Sequence, residues 1–274
     1  MSGQNLTGTE MELPGQNNHT GFISKIQGYS TRDGPGIRST VFCAGCNLRC
    51  LWCANPELIE GKVQTLRYKD TTETIGQCIT PPELVQKLVR DKVFYDQSGG
   101  GVTFSGGEPV LQEEFIAETS TLLKKESIHI ALDTAGDIEW ESLERACENA
   151  DLILYDIKAF DDAIHRRCTG VSNSRILENA ERLARAGKNI RVRLILIPEC
   201  NDGEDFTKRL DFVKSLGKAV CQIDILPMHR LGAGKYKALG IPDPMEGAKD
   251  CPKETAGKAA AEAERRGFTV TVGG

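Results

Sequence analysis

The sequence predicts an α/β fold, a barrel or open barrel assembled from six strand and helix units. Short apolar runs rich in β-branched residues alternate with longer segments whose apolar residues recur at helical spacing. Strands that alternate with helices in this way form parallel sheets, because each helix returns the chain to the start of the next strand. Several apolar runs end in polar residues, and in such barrels the chemistry gathers at the carboxyl ends of the strands.

The predicted strands and helices follow one another in a regular order. Six strands are expected, at residues 39–42, 102–104, 128–132, 152–156, 191–197 and 220–226. Five helices are expected at residues 81–93, 111–125, 140–149, 174–186 and 204–216. The first helix begins with Thr80 as its N-cap and Pro81 in its first position. A helix at 252–266 and a strand at 268–272 complete the pattern.

Composition and charge exclude several classes of protein. The 274 residues (30.0 kDa) are 39% hydrophobic and 27% charged, with a mean hydropathy of -0.32, as in ordinary globular proteins. No apolar run approaches the roughly 18–20 residues of a membrane span, and the polar N-terminus lacks the order of a secretory signal, so we expect a cytoplasmic protein without membrane contact. The net charge of -5 provides no basic field for nucleic acid. We expect a disordered polar tail at 1–20 and a single domain at 21–274.

Ten cysteines are present, and four of them crowd into residues 43–53. Cys46, Cys50 and Cys53 have CxxxCxxC spacing, which lets a short loop bring three thiolates to one iron–sulfur cluster. With only three protein ligands, a 4Fe-4S cluster keeps one iron open to an exogenous ligand. The alternative is a structural zinc knot that includes Cys43, but its two CxxC elements would lie too close together for an ordinary zinc ribbon. We therefore expect Cys43 to be a non-ligand.

The other six cysteines are scattered singly, and free cysteine usually behaves as a small apolar core residue. We expect most of these six to be buried: Cys78, Cys147, Cys168, Cys200, Cys221 and Cys251.

The cysteine loop is one of several motifs that occur in a fixed order. They are DGPGIR at 33–38, CAGCNLRCLWCANP at 43–56, SGGGVTFSGGEP at 98–109, DT at 133–134, DIK at 156–158, GVSN at 170–173 and LPMH at 226–229. By this ordered set, nearly the whole chain from Gly21 onward resembles the radical S-adenosylmethionine (SAM) enzymes. Within them it resembles the activating enzymes of glycyl radical enzymes, best known from the activation of pyruvate formate-lyase. The resemblance implies a partial (β/α)6 barrel of the radical SAM type, one 4Fe-4S cluster and SAM.

The resemblance also implies which residues hold the cofactors. The three cysteines are the cluster ligands and catalytic residues. The expected cofactor-binding residues are Trp52, Ala54, Gly106, Gly107, Glu108, Asp133, Asp156, Ile157, Lys158, Arg193 and His229. The Glu108 carboxylate suits the amino group of SAM, and Lys158 suits the methionyl carboxylate. Asp133 and Asp156 would repel each other if unpaired, and they fit ribose hydroxyls, an ammonium group or a monovalent cation. Solvated or salt-bridged strand ends are the alternative for each.

A glycine-rich turn at 33–36 precedes the first predicted strand and builds a rigid bend with few side chains. In the activating enzymes this region lies near the peptide of the partner, so the resemblance makes Asp33 a candidate contact to the target glycine loop. The alternative is a turn without any role in substrate binding.

The implied activity is that of an activase. SAM and the reduced cluster generate a 5′-deoxyadenosyl radical, which abstracts a hydrogen from one glycine of a partner, pyruvate formate-lyase or a relative. Residues 55–81 hold only Cys78, so we expect no ferredoxin-like insert and a single cluster. The resemblance also implies reduced flavodoxin or ferredoxin as electron donor, and we expect a monomer.

Two alternatives stay open at this point. A radical SAM enzyme that acts on a small molecule would turn over a metabolite without any protein partner. A non-enzymatic metal-binding protein would contain zinc and would not cleave SAM.

Overall fold

The computed structural model describes residues 20–273, so the tail predicted for residues 1–20 lies, except for its last residue, outside them. Eleven strands are found in the described range: β1 (Gly21–Ser30), β2 (Arg38–Cys43), β3 (Gln64–Arg67), β4 (Thr72–Ile75), β5 (Gln77–Ile79), β6 (Gly101–Gly106), β7 (His129–Thr134), β8 (Leu152–Asp156), β9 (Ile190–Leu196), β10 (Val220–Pro227) and β11 (Val270–Val272).

Nine α-helices lie in the same range: α1 (Pro81–Leu88), α2 (Lys92–Ser98), α3 (Glu113–Lys125), α4 (Trp140–Cys147), α5 (Asp162–Thr169), α6 (Ser174–Arg185), α7 (Glu204–Ser215), α8 (Ala233–Leu239) and α9 (Lys253–Arg265). Four short 3-10 turns accompany them at Pro56–Leu58, Val89–Asp91, Pro109–Gln112 and Gly217–Ala219. None of the helices between residues 20 and 273 has the length and apolar character needed to cross a membrane.

Nine strands form one sheet in the order β11-β10-β9-β8-β7-β6-β2-β1-β5. All neighbours from β2 to β11 are parallel, whereas β1 and β5 add antiparallel pairs at one edge. β3 and β4 form a separate hairpin. Because the parallel strands are joined through helices, their carboxyl ends all lie at one edge of the sheet. Each of the seven predicted strands is present within a few residues of its expected position, so the α/β fold is confirmed.

In the inner strands, side chains that face the helices alternate with side chains on the opposite face of the sheet. In β9 every second side chain from Ile190 to Leu196 is fully buried, whereas Arg193 and Ile195 lie on the opposite face and are only partly buried. Successive side chains of a strand point to opposite faces. The alternation therefore places the polar side chains of β9 on the face of the sheet opposite the helices.

Several elements have no predicted counterpart: β1, the β3–β4 hairpin, β5, α5 and α8. Each has too few apolar side chains to produce a clear period. β1 is exposed along most of its second half, and α5 buries only His165, Cys168 and Thr169. The N-cap Asp161 supports α5 by accepting hydrogen bonds from two backbone N–H groups of its first turn. Tertiary contacts and caps, rather than an apolar stripe, define these elements.

Residues 56–79 lie in the region where no ferredoxin-like insert is expected. They contain a 3-10 turn, the β3–β4 hairpin and β5, which pairs with β1. Leu58, Leu66 and Ile75 pack together with Ala44, at the start of the cysteine loop. The hairpin thus forms a small apolar cluster beside that loop, while the single-domain organisation stays a prediction.

The scattered cysteines are less buried than expected. Cys147, Cys168 and Cys251 are buried, but Cys200 is half-buried, and Cys78 and Cys221 are exposed. The expectation of burial is therefore wrong for Cys78 and Cys221. Cys78 lies on the edge strand β5, where only one neighbouring strand covers the backbone, and its side chain faces solvent.

Candidate active site at the carboxyl ends of the strands

A cavity of about 460 Å³ lies at the carboxyl ends of the parallel strands. Segments near both edges of the sheet contribute to its wall, since Arg32 follows β1, the second strand from one edge, and Gly273 follows β11 at the other edge. The sheet therefore curls around the cavity, as the predicted partial barrel requires. Small-molecule sites typically enclose about 300–1,000 Å³. The cavity is lined by 13 of the predicted site residues: Asp33, Cys46, Cys50, Trp52, Cys53, Ala54, Gly106, Gly107, Asp133, Asp156, Lys158, Arg193 and His229.

The cysteine loop connects β2 to the 3-10 turn at Pro56–Leu58 and is held in place through its backbone. The N–H of Arg49 donates to the carbonyl of Thr169 at 2.7 Å, and the N–H of Leu51 donates to the carbonyl of Cys168 at 2.9 Å. Both acceptors lie in the last turn of α5, where carbonyl groups have no partner within the helix. The otherwise weakly patterned helix α5 thus supports the loop.

The three predicted ligands differ from their neighbour Cys43. Cys46, Cys50 and Cys53 are half-buried and line the cavity, whereas Cys43 is fully buried in β2 and does not reach it. Burial raises the pKa of Cys46 and of Cys50 to about 11. Iron binds thiolates, so these protons must leave when a cluster is loaded. Three thiols that face one cavity, with the fourth turned away, fit a cluster that leaves one iron without a protein ligand.

Two glycines allow the end of β6 to approach the cysteine loop. Gly106 has a φ of +118°, and a Cβ there would lie 2.3 Å from the carbonyl oxygen of Cys43. A Cβ on Gly107 would lie 2.1 Å from the carbonyl oxygen of Gly45. The N–H of Gly107 instead donates to the Cys43 carbonyl at 2.9 Å. Close backbone packing alone therefore requires glycine at both positions.

The structure does not bring the Glu108 carboxylate into the cavity. Glu108 is buried, and it accepts hydrogen bonds from the Thr134 hydroxyl at 2.7 Å, the Ala135 N–H at 2.9 Å and the Val110 N–H at 3.2 Å. Burial raises its pKa to about 7, although these donors oppose the shift. The carboxylate joins the end of β6 to the end of β7, so the expected contact to an amino group is not found for this side chain.

The side chain of Ile157 is likewise fully buried and absent from the lining of the cavity. Its N–H donates to the carbonyl of Arg193 at 3.0 Å, and its carbonyl accepts a hydrogen bond from Arg209. Ile157 therefore links β8 to β9 and α7.

Four charged side chains at the strand ends form a paired network, which we call the charged floor: Asp133, Asp156, Lys158 and Arg193. Arg193 Nη1 lies 2.7 Å from Asp133 Oδ2, and Arg193 Nε lies 3.9 Å from Asp156 Oδ1. Lys158 Nζ lies 2.7 Å from Asp156 Oδ2, and Ser105 donates to Asp133 at 2.7 Å. The two carboxylates are thus paired with two cations, which offset the repulsion expected between Asp133 and Asp156.

The electrostatics of the charged floor follow from burial and pairing. Burial raises the pKa of Asp133, and Arg193 opposes the shift. Burial also acts on Asp156, but Lys158 and Arg193 together hold its pKa below the usual value. In the described range 20–273, no three His, Cys, Asp or Glu side chains form a site for a single metal ion. The monovalent cation near Asp133 and Asp156 stays a prediction.

The Asp33 carboxylate reaches the cavity wall and also holds its own turn. Its Oδ2 accepts hydrogen bonds from the Ser30 hydroxyl at 2.6 Å and the Thr40 hydroxyl at 2.7 Å. Its backbone carbonyl accepts one from Thr103 at 2.7 Å. Turn chemistry thus accounts for an aspartate at this position, while its place in the wall keeps it available to a ligand.

The outer edge of the cavity, which we call the rim, consists of Arg32, His229 and Leu231. The side chain of His229 is 50% exposed, and Leu231 is 77% exposed. Arg32 donates to the carbonyl of Gly273 at 2.7 Å, which joins the segments that follow β1 and β11. Arg32 and Leu231 could not be predicted from the sequence, because neither belongs to a motif and only the curled sheet brings them together.

A partial barrel of parallel strands with three thiols and a paired charged floor at one cavity defines a radical SAM enzyme. Residues 40–213 match the model of the Radical SAM superfamily. Among curated relatives, the pyruvate formate-lyase-activating enzyme of Listeria monocytogenes is 39% identical over 85% of this chain and 92% of its own length. The pyruvate formate-lyase 1-activating enzyme of Escherichia coli is 36% identical over 91% and 98%. The (2S)-3-sulfopropanediol dehydratase activating enzyme of Klebsiella oxytoca is 32% identical over 84% and 88%.

Solved structures agree with these relatives. A domain of the pyruvate-formate lyase-activating enzyme of Bacteroides vulgatus superposes with a TM-score of 0.54 and 29% identity, covering 64% of this chain and all of that domain. SuiB of Streptococcus suis, bound to its precursor peptide, has a TM-score of 0.59 at 12% identity, covering 83% of this chain and 46% of its own, and shares the fold alone. The chain therefore belongs to the radical SAM family of glycyl-radical-enzyme activating enzymes.

Membership of this family settles the cofactors. The enzyme uses a 4Fe-4S cluster and SAM, and its substrate is a protein. The interpretation as a zinc-binding structural protein is therefore wrong. Cys46, Cys50 and Cys53 are the three thiols in the cavity that fit the cluster.

Proposed function

We propose that this enzyme activates pyruvate formate-lyase or a related glycyl radical enzyme, and that its cavity holds the cluster and SAM side by side. Cys46, Cys50 and Cys53 would hold the cluster, and when bound and reduced it would supply the one electron that splits SAM into methionine and the 5′-deoxyadenosyl radical needed to take a hydrogen atom from the target glycine. The observation that carries the proposal is that three thiols and the charged floor face one cavity with an exposed rim.

The charged floor suits the methionyl end of SAM, which carries both an ammonium and a carboxylate. Lys158 and Arg193 offer cationic donors for the carboxylate, and Asp133 and Asp156 offer acceptors for the ammonium or for ribose hydroxyls. All four are already held by one another, so little side-chain freedom is lost when SAM binds. The backbone of Gly106 and Gly107 completes this side of the cavity.

Other expected residues support the site in different ways. Trp52 and Ala54 extend the cysteine loop along the wall, and His229 lies at the rim. From this position we expect His229 to contact the outer part of bound SAM. Glu108 and Ile157 position the strand ends through the hydrogen bonds described above rather than through side-chain contact with SAM.

The partner's glycine loop enters over the rim, and Asp33 contacts it. Support comes from the position of Asp33 in the wall and from the exposure of Leu231, an apolar side chain that a peptide would cover. The relatives act on two kinds of enzyme, a pyruvate formate-lyase and a sulfopropanediol dehydratase, and both kinds are candidate partners. We further propose that the enzyme is monomeric and cytoplasmic and holds one cluster. We propose flavodoxin or ferredoxin as the reductant, because the cluster requires a one-electron donor.

Anaerobic EPR tests this function. The reconstituted enzyme is chemically reduced and mixed with SAM and, in separate tubes, a pyruvate formate-lyase or a sulfopropanediol dehydratase. We expect a glycyl radical doublet with one of them, lost in Cys50→Ala and kept in the matched control Cys78→Ala, whose cysteine is exposed on β5. SAM cleavage without a radical on either protein would mean that the partner is a different glycyl radical enzyme. Replacing the chemical reductant by reduced flavodoxin or ferredoxin identifies the donor.

A further inference from the structure

Outside the cavity, Cys168 and Cys200 form a close thiol pair. Their Sγ atoms lie 3.1 Å apart, although 32 residues separate them in the chain. Cys168 is buried in the last turn of α5, and Cys200 is half-buried in the turn that follows β9. A guanidinium nitrogen of the exposed Arg167 lies 3.5 Å from the Cys200 sulfur. The fold therefore joins two thiols and one cation at a partly accessible position.

The pair is asymmetric in its chemistry. The hydrogen bond between the two sulfurs lowers the pKa of Cys200, and the Arg167 guanidinium, 3.5 Å from the Cys200 sulfur, contributes to the same shift. The same bond raises the pKa of Cys168, which keeps its proton. The thiolate is the reactive form of cysteine, so the half-buried Cys200 is the nucleophile and the buried Cys168 is the second thiol.

A tight turn fixes Cys200 against α5. The N–H of Cys200 donates to the carbonyl of Ile197 at 3.1 Å, and Glu199 between them has a φ of +61°. Glycine or asparagine usually takes such a position in a turn, since a side chain there is strained. The turn holds the Cys200 sulfur near its partner.

We propose that Cys168 and Cys200 form a thiol–disulfide exchange site that reacts with low-molecular-weight disulfides such as glutathione disulfide. The Cys200 thiolate attacks one sulfur of the external disulfide, whose S–S bond breaks and releases one thiolate. Cys168 then loses its proton to solvent and attacks the Cys200 sulfur, releasing the second thiolate. Two protein thiols are thereby oxidised by two electrons, and one external disulfide is reduced to two thiols. A disulfide needs an S–S distance of about 2.05 Å, so the sulfurs must approach by about 1 Å.

Hydrogen bonds connect the thiol pair to two parts of the active-site cavity, the cysteine loop and the charged floor. The carbonyl of Cys168 accepts the 2.9 Å hydrogen bond from Leu51 in the cysteine loop. Asn201, next to Cys200, donates to the carbonyl of Lys158 at 2.8 Å. A disulfide between Cys168 and Cys200 would therefore join two segments: the end of α5, which holds the cysteine loop, and the turn after β9, which holds the backbone of Lys158 in the charged floor.

Peptide mapping of the loaded enzyme tests the proposal under anaerobic conditions. The enzyme is equilibrated with mixtures of glutathione and its disulfide, its free thiols are alkylated, and it is digested with trypsin. We expect a cross-link between the tryptic peptides 168–175 and 194–208, while the exposed Cys78 (peptide 70–87) and Cys221 (peptide 219–230) stay alkylated at the same glutathione ratio. Recovery of Cys168 and Cys200 in alkylated form, or modification of Cys200 no greater than that of Cys221, overturns the proposal.

Single variants separate the two roles. Cys168→Ser should stop the reaction at a glutathione adduct on Cys200, Cys200→Ser should abolish both adduct and cross-link, and Arg167→Gln should slow adduct formation several-fold. The alkylation rate of Cys200 should rise less steeply from pH 7 to 8 than that of Cys221, whose residue is exposed but whose partly covered sulfur has a raised pKa. Cys168→Ser should make the pH dependence of Cys200 steeper. An unchanged pH profile in Cys168→Ser contradicts a hydrogen bond from Cys168 as the cause of the lowered pKa of Cys200. These measurements follow thiols rather than radicals, so their outcome is independent of the activase test.

Discussion

The charged floor and the rim of the cavity differ in how firmly their side chains are held. The floor side chains are only 12–24% exposed, and each is paired with an opposite charge. At the rim, the side chain of His229 is 50% exposed and Leu231 is 77% exposed. A small cofactor requires preorganised partners, whereas a large protein substrate requires an accessible surface. The two regions therefore suit different ligands, and substitutions should separate them.

The largest effect is expected for Arg193→Met in the floor. The change leaves Asp133 without its 2.7 Å partner and weakens the neutralisation of Asp156. Removing one member of a buried ion pair costs about 3–5 kcal/mol, since the remaining charge stays desolvated. Urea unfolding measures the loss. The matched control is Arg185→Met, whose pair with Glu181 on α6 is exposed and should contribute less than about 1 kcal/mol. Equal losses in the two variants would contradict a preorganised floor.

The next effect is a pH dependence of the unfolding free energy. It is caused by Glu108, whose carboxylate joins the ends of β6 and β7. Its folded-state pKa of about 7 is raised from 4.5, so the folded protein binds its proton more tightly than the unfolded chain does. The resulting stabilisation is fully present below about pH 4.5 and is lost as the pH rises through 7, a change of about 3 kcal/mol. The difference in unfolding free energy between wild type and Glu108→Gln should fall by this amount over that range. A flat difference would mean that its three hydrogen bonds keep Glu108 ionised.

A smaller effect is expected where β6 meets the cysteine loop. Gly107→Ala places a Cβ against the carbonyl of Gly45, and such overpacking typically costs about 1–3 kcal/mol. We expect a lower melting temperature and incomplete cluster loading, measured by iron content. Gly257→Ala on α9 is the control, since Gly257, like Gly107, has no positive φ, but no neighbour lies within 4 Å of its Cβ. If Gly257→Ala lowers iron content equally, the loop packing is not responsible.

The smallest effect on stability is expected at the rim. Leu231→Ser removes an exposed apolar side chain and should change the unfolding free energy by less than about 0.5 kcal/mol. The KM for the protein partner should nevertheless rise several-fold, while SAM cleavage in the absence of partner changes less than two-fold. Steady-state activation assays and product quantification measure the two quantities. An equal loss of SAM cleavage without partner would mean that Leu231 contributes to SAM binding, as the floor does, rather than to partner binding.

Local patterns in the sequence predict much of this site. The CxxxCxxC spacing identifies the three thiols, and the polar residues that end the apolar runs identify the floor, because parallel strands bring their carboxyl ends together. Glu108 shows the limit of such reasoning. Its motif predicts contact with a ligand, yet its partners Thr134 and Ala135 lie 26 and 27 residues further along the chain and turn the carboxylate inward.

The sequence by itself determined the order of the parallel strands, most of the helices between them and the set of motifs, because strand alternation, helical period and cysteine spacing are local properties. Only the tertiary structure decided how the charged side chains pair, why Gly106 and Gly107 carry no side chain, and that Cys168 lies beside Cys200. These depend on contacts between residues distant in sequence, which form when the sheet curls and the cysteine loop docks on α5.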